Sequence, residues 1–214
     1  MKIILTWKQK LYFTSDSHYF HENLVRGISK WPEGRGTRDF QTLEEMNDAI
    51  VNGINSVVGV DDVLVHMGDW SFGGFDKIEE FRNRINCKNV YLFLGNHDHH
   101  ISNNKDGIQR LFVEVSKLDT LEVRVPCGPV TKKYSFECCH HPIASWDGLS
   151  RGRIHLHGHV HLPPHLKINT GRAMDVGADG NNLIPYSLEE ILELMDGRPL
   201  AHLVLPKDHH TEGE

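Results

Sequence analysis

The stretch Leu92-Phe93-Leu94-Gly95-Asn96-His97-Asp98 joins an apolar run, typical of a buried strand, to a glycine and three consecutive polar residues. Polar groups at the end of a buried strand cost free energy unless they find partners. A simple turn needs only the Gly-Asn pair. An amide oxygen, an imidazole and a carboxylate in succession also suit a metal ligand, a proton donor and a group that orients the donor. This stretch alone leaves both interpretations open.

Four other segments place polar side chains directly after a predicted strand. They are Asp16 and His18 after 11–14, Asp69 after 63–67, His140 after 131–139, and His159 and His161 after 153–156. Aspartate and histidine two positions apart on an extended segment point to the same side. Sites in α/β folds are built just beyond the carboxyl ends of strands. The pattern therefore predicts that these side chains share one site.

Helical patterns separate the early strands. A capping box at Thr42 predicts a helix to about residue 58, a second helix is predicted over 75–85, and a capping box at Ser187 predicts a third to about residue 195. The segments 121–125 and 131–139 predict an antiparallel hairpin, and 200–205 predicts an edge strand. We expect an α/β protein with one domain over 1–205 and a frayed tail over 206–214.

Composition narrows the function classes. The chain has 214 residues, a net charge of −6 and 16 histidines, an excess of the commonest metal-ligating side chain. Scattered lysines and arginines argue against a surface that tracks long nucleic acid. The sequence predicts neither a membrane span nor a signal peptide, and hence a cytoplasmic protein without a membrane partner. The four cysteines, Cys87, Cys127, Cys138 and Cys139, are expected to be reduced.

Several further side chains are candidates for substrate contacts. Arg35 and Arg38 lie in a glycine-rich loop that could grip a phosphate, although such loops are more often simply solvated. His21 and His141 are candidates to line the site. We expect His157 to be a buried neighbour, whereas His99, His100, His155 and His165 are expected at the surface.

The five segments together resemble the calcineurin-like metallophosphoesterase superfamily. All five occur in the family's order over roughly residues 11–180, and the runs 14–23 and 175–190 resemble its small bacterial and phage branch. The resemblance implies a four-layer αββα sandwich of two mixed β-sheets flanked by helices. It also implies two metal ions. Asp16, His18 and His161 would hold the first, Asn96, His140 and His159 the second, and Asp69 would bridge them.

This ligand set suits Mn²⁺, Fe or Zn²⁺ better than Mg²⁺ or Ca²⁺, and Mn²⁺ is the first choice. Two divalent ions, two aspartates and a bridging hydroxide leave the centre near a charge of about +1, which attracts a phosphate ester. The implied reaction is in-line attack of that hydroxide. His97 is then the candidate general acid, and Asp98 is expected to orient its imidazole.

The predicted function is a metal-dependent phosphoesterase, with phosphodiesters preferred over monoesters. Its substrate would be a small phosphate ester or nucleotide. One alternative is a nuclease or an enzyme that processes ends of short nucleic acids. Another is a scaffold of the same fold that lacks catalysis. The sequence leaves the oligomeric state open.

Overall fold

Two five-stranded β-sheets lie at the centre of the described residues, which are 1–162, 165–166 and 171–200 of a computed structural model. The strands are β1 (Lys2–Ile4), β2 (Leu11–Thr14), β3 (Val63–His66), β4 (Asn89–Phe93), β5 (Glu114–Ser116), β6 (Leu118–Cys127), β7 (Val130–Cys139), β8 (Ile154–His157), β9 (Ala173–Asp175) and β10 (Tyr186–Ser187). The helices are α1 (Leu43–Val57), α2 (Phe75–Arg84), α3 (His99–Ser102) and α4 (Leu188–Asp196), with short 3₁₀ turns between elements.

Both sheets are mixed. One has the order β1-β6-β7-β8-β9, in which β6 and β7 form an antiparallel hairpin and the other neighbours are parallel. The other has the order β10-β2-β3-β4-β5, in which only the β10 pairing is antiparallel among the described strands. The predicted α/β class, with two mixed sheets flanked by helices, is confirmed.

Alternating side chains of β2 show how the layers pack. Leu11 and Phe13 lie in the core between the two sheets, together with residues of β6, β7 and β8. Tyr12 points the other way, into a second core that contains apolar residues of α1 and α2. Successive side chains of a strand face opposite sides of its sheet, so this sheet is buried on both faces.

The helices follow from local sequence signals. Thr42 and Ser187 each form a complete capping box, as predicted, and so begin α1 and α4. α1 buries Met46, Ile50 and Ile54 at helical spacing against the second core. α4 supplies apolar side chains to the core between the sheets. Observed bounds of the predicted elements mostly differ by one to three residues, whereas β6 is longer than expected.

Some elements escaped prediction. The strands β5, β9 and β10 have three, three and two residues, too few to establish an alternating pattern. His155, expected at the surface, is fully buried in β8. Its Nδ1 donates to the carbonyl of Glu137, and its Nε2 accepts from the backbone N–H of Ile143. Both ring nitrogens are thus satisfied inside, which is why burial is tolerated.

All four cysteines are free, with Cys127 exposed and the others buried. Within the described residues, no helix is long and apolar enough to cross a membrane. The predicted edge strand beyond Leu200 and the tail over 206–214 lie outside the described residues.

Candidate metal centre

The polar residues after β2, β3, β4, β7 and β8 meet at one edge of the sandwich. β2, β3 and β4 are adjacent parallel strands of one sheet, and β7 and β8 are adjacent parallel strands of the other. Their carboxyl ends therefore reach the same edge. This arrangement brings together all seven predicted ligands, Asp16, His18, Asp69, Asn96, His140, His159 and His161.

A first group of possible ligand atoms surrounds Asp16. Its Oδ1 lies 3.7 Å from His18 Nε2 and 3.6 Å from His161 Nε2. The two imidazole nitrogens are 3.3 Å apart. These three atoms lie within 4.8 Å of one another, close enough to surround a single ion. The grouping matches the first metal site that the resemblance implies.

A second group surrounds Asn96 and His140. Asn96 Oδ1 lies 3.1 Å from His140 Nε2 and 3.0 Å from His159 Nδ1. Asp69 Oδ2 lies 3.3 Å from His140 Nε2 and 3.7 Å from His18 Nε2, so it is shared with the first group. Asp16 Oδ1 is also 3.9 Å from His140 Nε2. Two carboxylates, rather than Asp69 alone, therefore lie between the two groups.

Asp16 shows that the site fits a cation. Its side chain is fully buried, and among the described residues its Oδ1 has no hydrogen-bond partner. Burial raises the pKa of Asp16 to about 6. A buried carboxylate oxygen without a donor is costly unless an ion pairs with it. The donor set of carboxylates, imidazoles and an amide oxygen is one that divalent transition metals accept.

The charges of His140 and Asp69 are coupled. Burial opposes the charge on His140, but its hydrogen bond to Asp69 and the nearby carboxylates outweigh burial and raise its pKa to about 9. Burial likewise opposes the charge on Asp69, but His140 and the backbone N–H of His97 hold the pKa of Asp69 well below its usual range. The protonated ring of His140 thus places a positive charge beside Asp69, where a bound metal would otherwise place one.

The backbone at the site is unusual. Nine non-glycine residues have positive φ in the described chain, and five of them are predicted ligands: Asp16, His18, Asp69, His159 and His161. Such conformations cost about 1–3 kcal/mol each and persist only where the surrounding structure holds them. Concentration of strain at one place is typical of functional sites.

Loops at the site approach each other so closely that a side chain would not fit at two of the glycines. A Cβ at Gly95 would lie 2.2 Å from Asp69 Oδ1, and one at Gly158 would lie 2.3 Å from Asp16 Oδ2. Each glycine therefore lies directly against a predicted carboxylate ligand. Asp16 Oδ2 accepts from the backbone N–H of His159, which fixes the same loop contact from the other side.

His97 lies at the rim of the site, and Asp98 does not orient it. The His97 ring is exposed, 5.7 Å from the ring of His18 and 4.8 Å from that of Phe72. Its backbone N–H donates to Asp69 Oδ1 over 2.9 Å. The buried carboxylate of Asp98 instead accepts from the backbone N–H groups of Asp69, Trp70 and Gly95.

The predicted role of Asp98 is therefore wrong for the described structure. The hydrogen bonds from Asp69 and Trp70 tie the loop after β3 to the loop after β4, and the one from Gly95 lies within the loop after β4. Asp98 is a support for the site, and the side chain of His97 is left free of it.

The prediction that Arg38 grips a phosphate is also wrong, because its guanidinium is buried and already occupied. It donates to both oxygens of Asp179 and to the carbonyls of Asp16 and Ser17. Asp179 Oδ2 in turn lies 2.5 Å from His161 Nδ1. The charge of Arg38 and the bond to His161 outweigh burial and hold the pKa of Asp179 well below its usual range. Arg38 and Asp179 thus orient a predicted ligand.

The other three candidates for substrate contacts differ in whether they lie next to the site. Arg35 is exposed and pairs with Glu33, and it does not line the cleft beside the site. His21 lines that cleft, with its ring stacked 3.8 Å from Phe72. His141 is exposed, and its ring lies 4.3 Å from that of His159. Of the four candidates, His21 and His141 are therefore next to the site.

Sequence reasoning missed the roles of Asp179 and Phe72. Asp179 reaches the site from a turn far along the chain, and Phe72 from the loop before α2. Phe72 belongs to no strand-end pattern, and Asp179 lies in the run 175–190, for which the resemblance implied no role in the site.

No family model matches the chain. The uncharacterized protein MJ1445 of Methanocaldococcus jannaschii is 27% identical over 194 residues, which cover 88% of this chain and 92% of that protein. Among solved structures, a protein of unknown function from Aquifex aeolicus, AQ665, has a TM-score of 0.58 at 22% identity, over 87% of this chain and 100% of that one. This structural likeness establishes a shared fold.

Proposed function

We propose that this protein is a phosphoesterase that depends on two divalent metal ions and prefers phosphodiesters to monoesters. One observation carries the proposal: two groups of possible ligands share Asp69, and the buried Asp16 oxygen between them has no partner among the described residues. The resemblance to calcineurin-like metallophosphoesterases supplies the reaction class, because the segments that carry the resemblance also carry the possible metal ligands.

Asp16, His18 and His161 would hold one ion, and Asn96, His140 and His159 the other, with Asp69 in common. When bound, two such ions act as Lewis acids that neutralise phosphoryl charge and lower the pKa of water. We propose Mn²⁺, with Fe or Zn²⁺ as alternatives, since imidazole and carboxylate ligands favour these metals.

His97 would donate a proton to the leaving oxygen. Its backbone bond to Asp69 Oδ1 anchors it beside the ligand groups, and Phe72 packs against its ring. An alkoxide is a poor leaving group, so a positioned acid contributes about 10²–10⁴-fold to its departure. The leaving oxygen of any alkyl phosphate ester has this need, so the preference for diesters over monoesters rests mainly on the resemblance.

Substitution of His97 tests this role. In His97→Ala, we expect about two metals per chain to remain and diester turnover to fall about 10²–10⁴-fold. His100→Ala removes a nearby exposed imidazole and serves as the matched control. Elemental analysis and an assay of a diester with an alkoxide leaving group, both on Mn²⁺-loaded protein, measure the two quantities. No bound metal in the wild type would refute the proposed function, and wild-type turnover in His97→Ala would refute the acid role.

The cleft favours a small substrate over the nuclease alternative. Its described lining residues include no lysine or arginine, and the chain carries a net charge of −6. Binding to nucleic acid depends on cations that contact phosphates along the strand. A panel of mono- and diesters, cyclic nucleotides and short DNA and RNA separates these substrates, and loss of all activity in metal-loaded protein would favour the scaffold alternative. The cytoplasmic location stays a prediction.

A further inference from the structure

A row of rings leads outward from the candidate metal centre. The rings of His97 and Phe72 are 4.8 Å apart, those of Phe72 and His21 are stacked at 3.8 Å, and that of Trp31 meets His21 edge-on at 5.8 Å. We call these four residues the aromatic wall. All of them line one cleft of about 640 Å³, together with predicted ligands. That volume is in the range of small-molecule sites.

The accessible part of the wall suits a planar ligand. Trp31 is 38% exposed, so part of its indole is available to a ligand. A planar heteroaromatic ligand in the cleft could therefore stack on this part of the wall.

The charges of the cleft limit the number of phosphate groups that a bound substrate can carry. Apart from histidines, its described titratable lining residues are Asp69 and Asp179, and Asp179 is already paired with Arg38. The metals would offset one phosphoryl group. A second or third phosphate would find no lysine or arginine among the described lining residues. Compounds with several phosphates are therefore disfavoured.

We propose that the aromatic wall binds the nucleobase of a substrate that contains a single phosphodiester. This inference rests on the proposed function and gives its substrate class. Stacking on an aromatic side chain accepts any base, because every base has a π-face. Trp31 is then a residue that determines specificity, and it contacts the part of the substrate remote from the reacting phosphorus.

Two matched esters test the proposal on the Mn²⁺-loaded full chain. Thymidine 5′-(p-nitrophenyl phosphate) and methyl p-nitrophenyl phosphate share a leaving group and differ in the nucleoside. We expect kcat/KM to be about tenfold higher or more for the thymidine ester, mainly through KM. Trp31→Ala should bring this ratio close to one, and Trp31→Phe should restore most of it. Trp7→Ala, which removes an exposed tryptophan outside the cleft, should keep the ratio.

Equilibrium dialysis of thymidine 5′-phosphate gives a readout independent of turnover. We expect Trp31→Ala to weaken its binding about tenfold, and thymidine 5′-diphosphate to bind no more tightly than the monophosphate. A wild-type ratio near one, or a ratio unchanged in Trp31→Ala, would overturn the inference while leaving the proposed function intact. If neither ester is hydrolysed, the proposed function has failed, and the dialysis alone decides whether the wall binds a base. Tighter binding of the diphosphate would overturn the single-phosphate part.

Discussion

Replacement of Gly95 by alanine tests whether the contact between two loops fixes the candidate metal centre. A Cβ at this position would lie 2.2 Å from Asp69 Oδ1 and 2.5 Å from the Asp69 backbone nitrogen. Real Cβ contacts essentially never fall below 3.0 Å, so Asp69 and the loop of Gly95 must move apart by about 0.8 Å, the difference between 3.0 and 2.2 Å. The Asp69 backbone cannot yield freely, because its N–H donates to Asp98.

The expected size of the effect follows from that displacement. A misplacement of about 1 Å at a catalytic site can cost about 10²-fold in rate. Asp69 is shared by both ligand groups, so we expect binding of both metals to weaken, by about 10–100-fold. Overpacking should also lower the free energy of unfolding by about 1–3 kcal/mol.

Calorimetric titration of metal-free Gly95→Ala with Mn²⁺, together with diester turnover and urea denaturation, measures these three effects. Gly197→Ala is the matched control, because Gly197 is exposed, has an ordinary φ of −75° and leaves nothing within 4 Å of an added Cβ. If Gly95→Ala binds Mn²⁺ and turns over diesters like the wild type, the reasoning from loop contact to ligand geometry is refuted.

Two further predictions concern the supports of the site. Asp179→Asn should weaken Mn²⁺ binding about 10–100-fold by calorimetry, since it loses the charged partner of His161; unchanged affinity would exclude an orienting role. Asp98→Asn should lower the free energy of unfolding by about 1–3 kcal/mol in urea, since three backbone N–H groups depend on the carboxylate; an unchanged value would exclude that support role.

Burial lowers the pKa of His155 from 6.5 to about 4, so the unfolded chain binds a proton that the folded chain excludes. Metal-free protein should therefore lose up to about 3 kcal/mol of stability from this group as pH falls from 6.5 to 4. His155→Gln should flatten that pH dependence in urea titrations, whereas His100→Gln should not; equal slopes in both variants would contradict the assignment.

Local sequence signals were enough to predict most of the framework and the convergence of the candidate ligands. Apolar runs followed by Asp16, Asp69 or Asn96 mark strand ends, and parallel strands bring their ends to one edge. Capping boxes located the starts of α1 and α4, because the two side chains of a capping box are only three residues apart in the sequence. Spacing of this kind can be read without knowledge of the fold.

Roles that depend on distant partners could not be predicted. Arg38 and Asp179 are 141 residues apart in the chain and meet only in the folded protein. Asp98 adjoins His97 in sequence, which suggested that it orients the imidazole, yet its carboxylate is occupied by loop N–H groups. The competition between partners for one carboxylate is a property of the tertiary structure.

The left-handed backbone of the candidate ligands affects how their substitutions should be interpreted. Asp, Asn and His tolerate positive φ better than most residues, so the side chains suited to binding metal are also suited to this backbone. Alanine at Asp16, Asp69 or His159 would remove a ligand and also force a less compatible residue into that conformation. In an alanine scan, the effect of losing the ligand could therefore not be separated from the effect of the strained backbone. At the two aspartates asparagine separates them, because it keeps the backbone preference while it removes the charge.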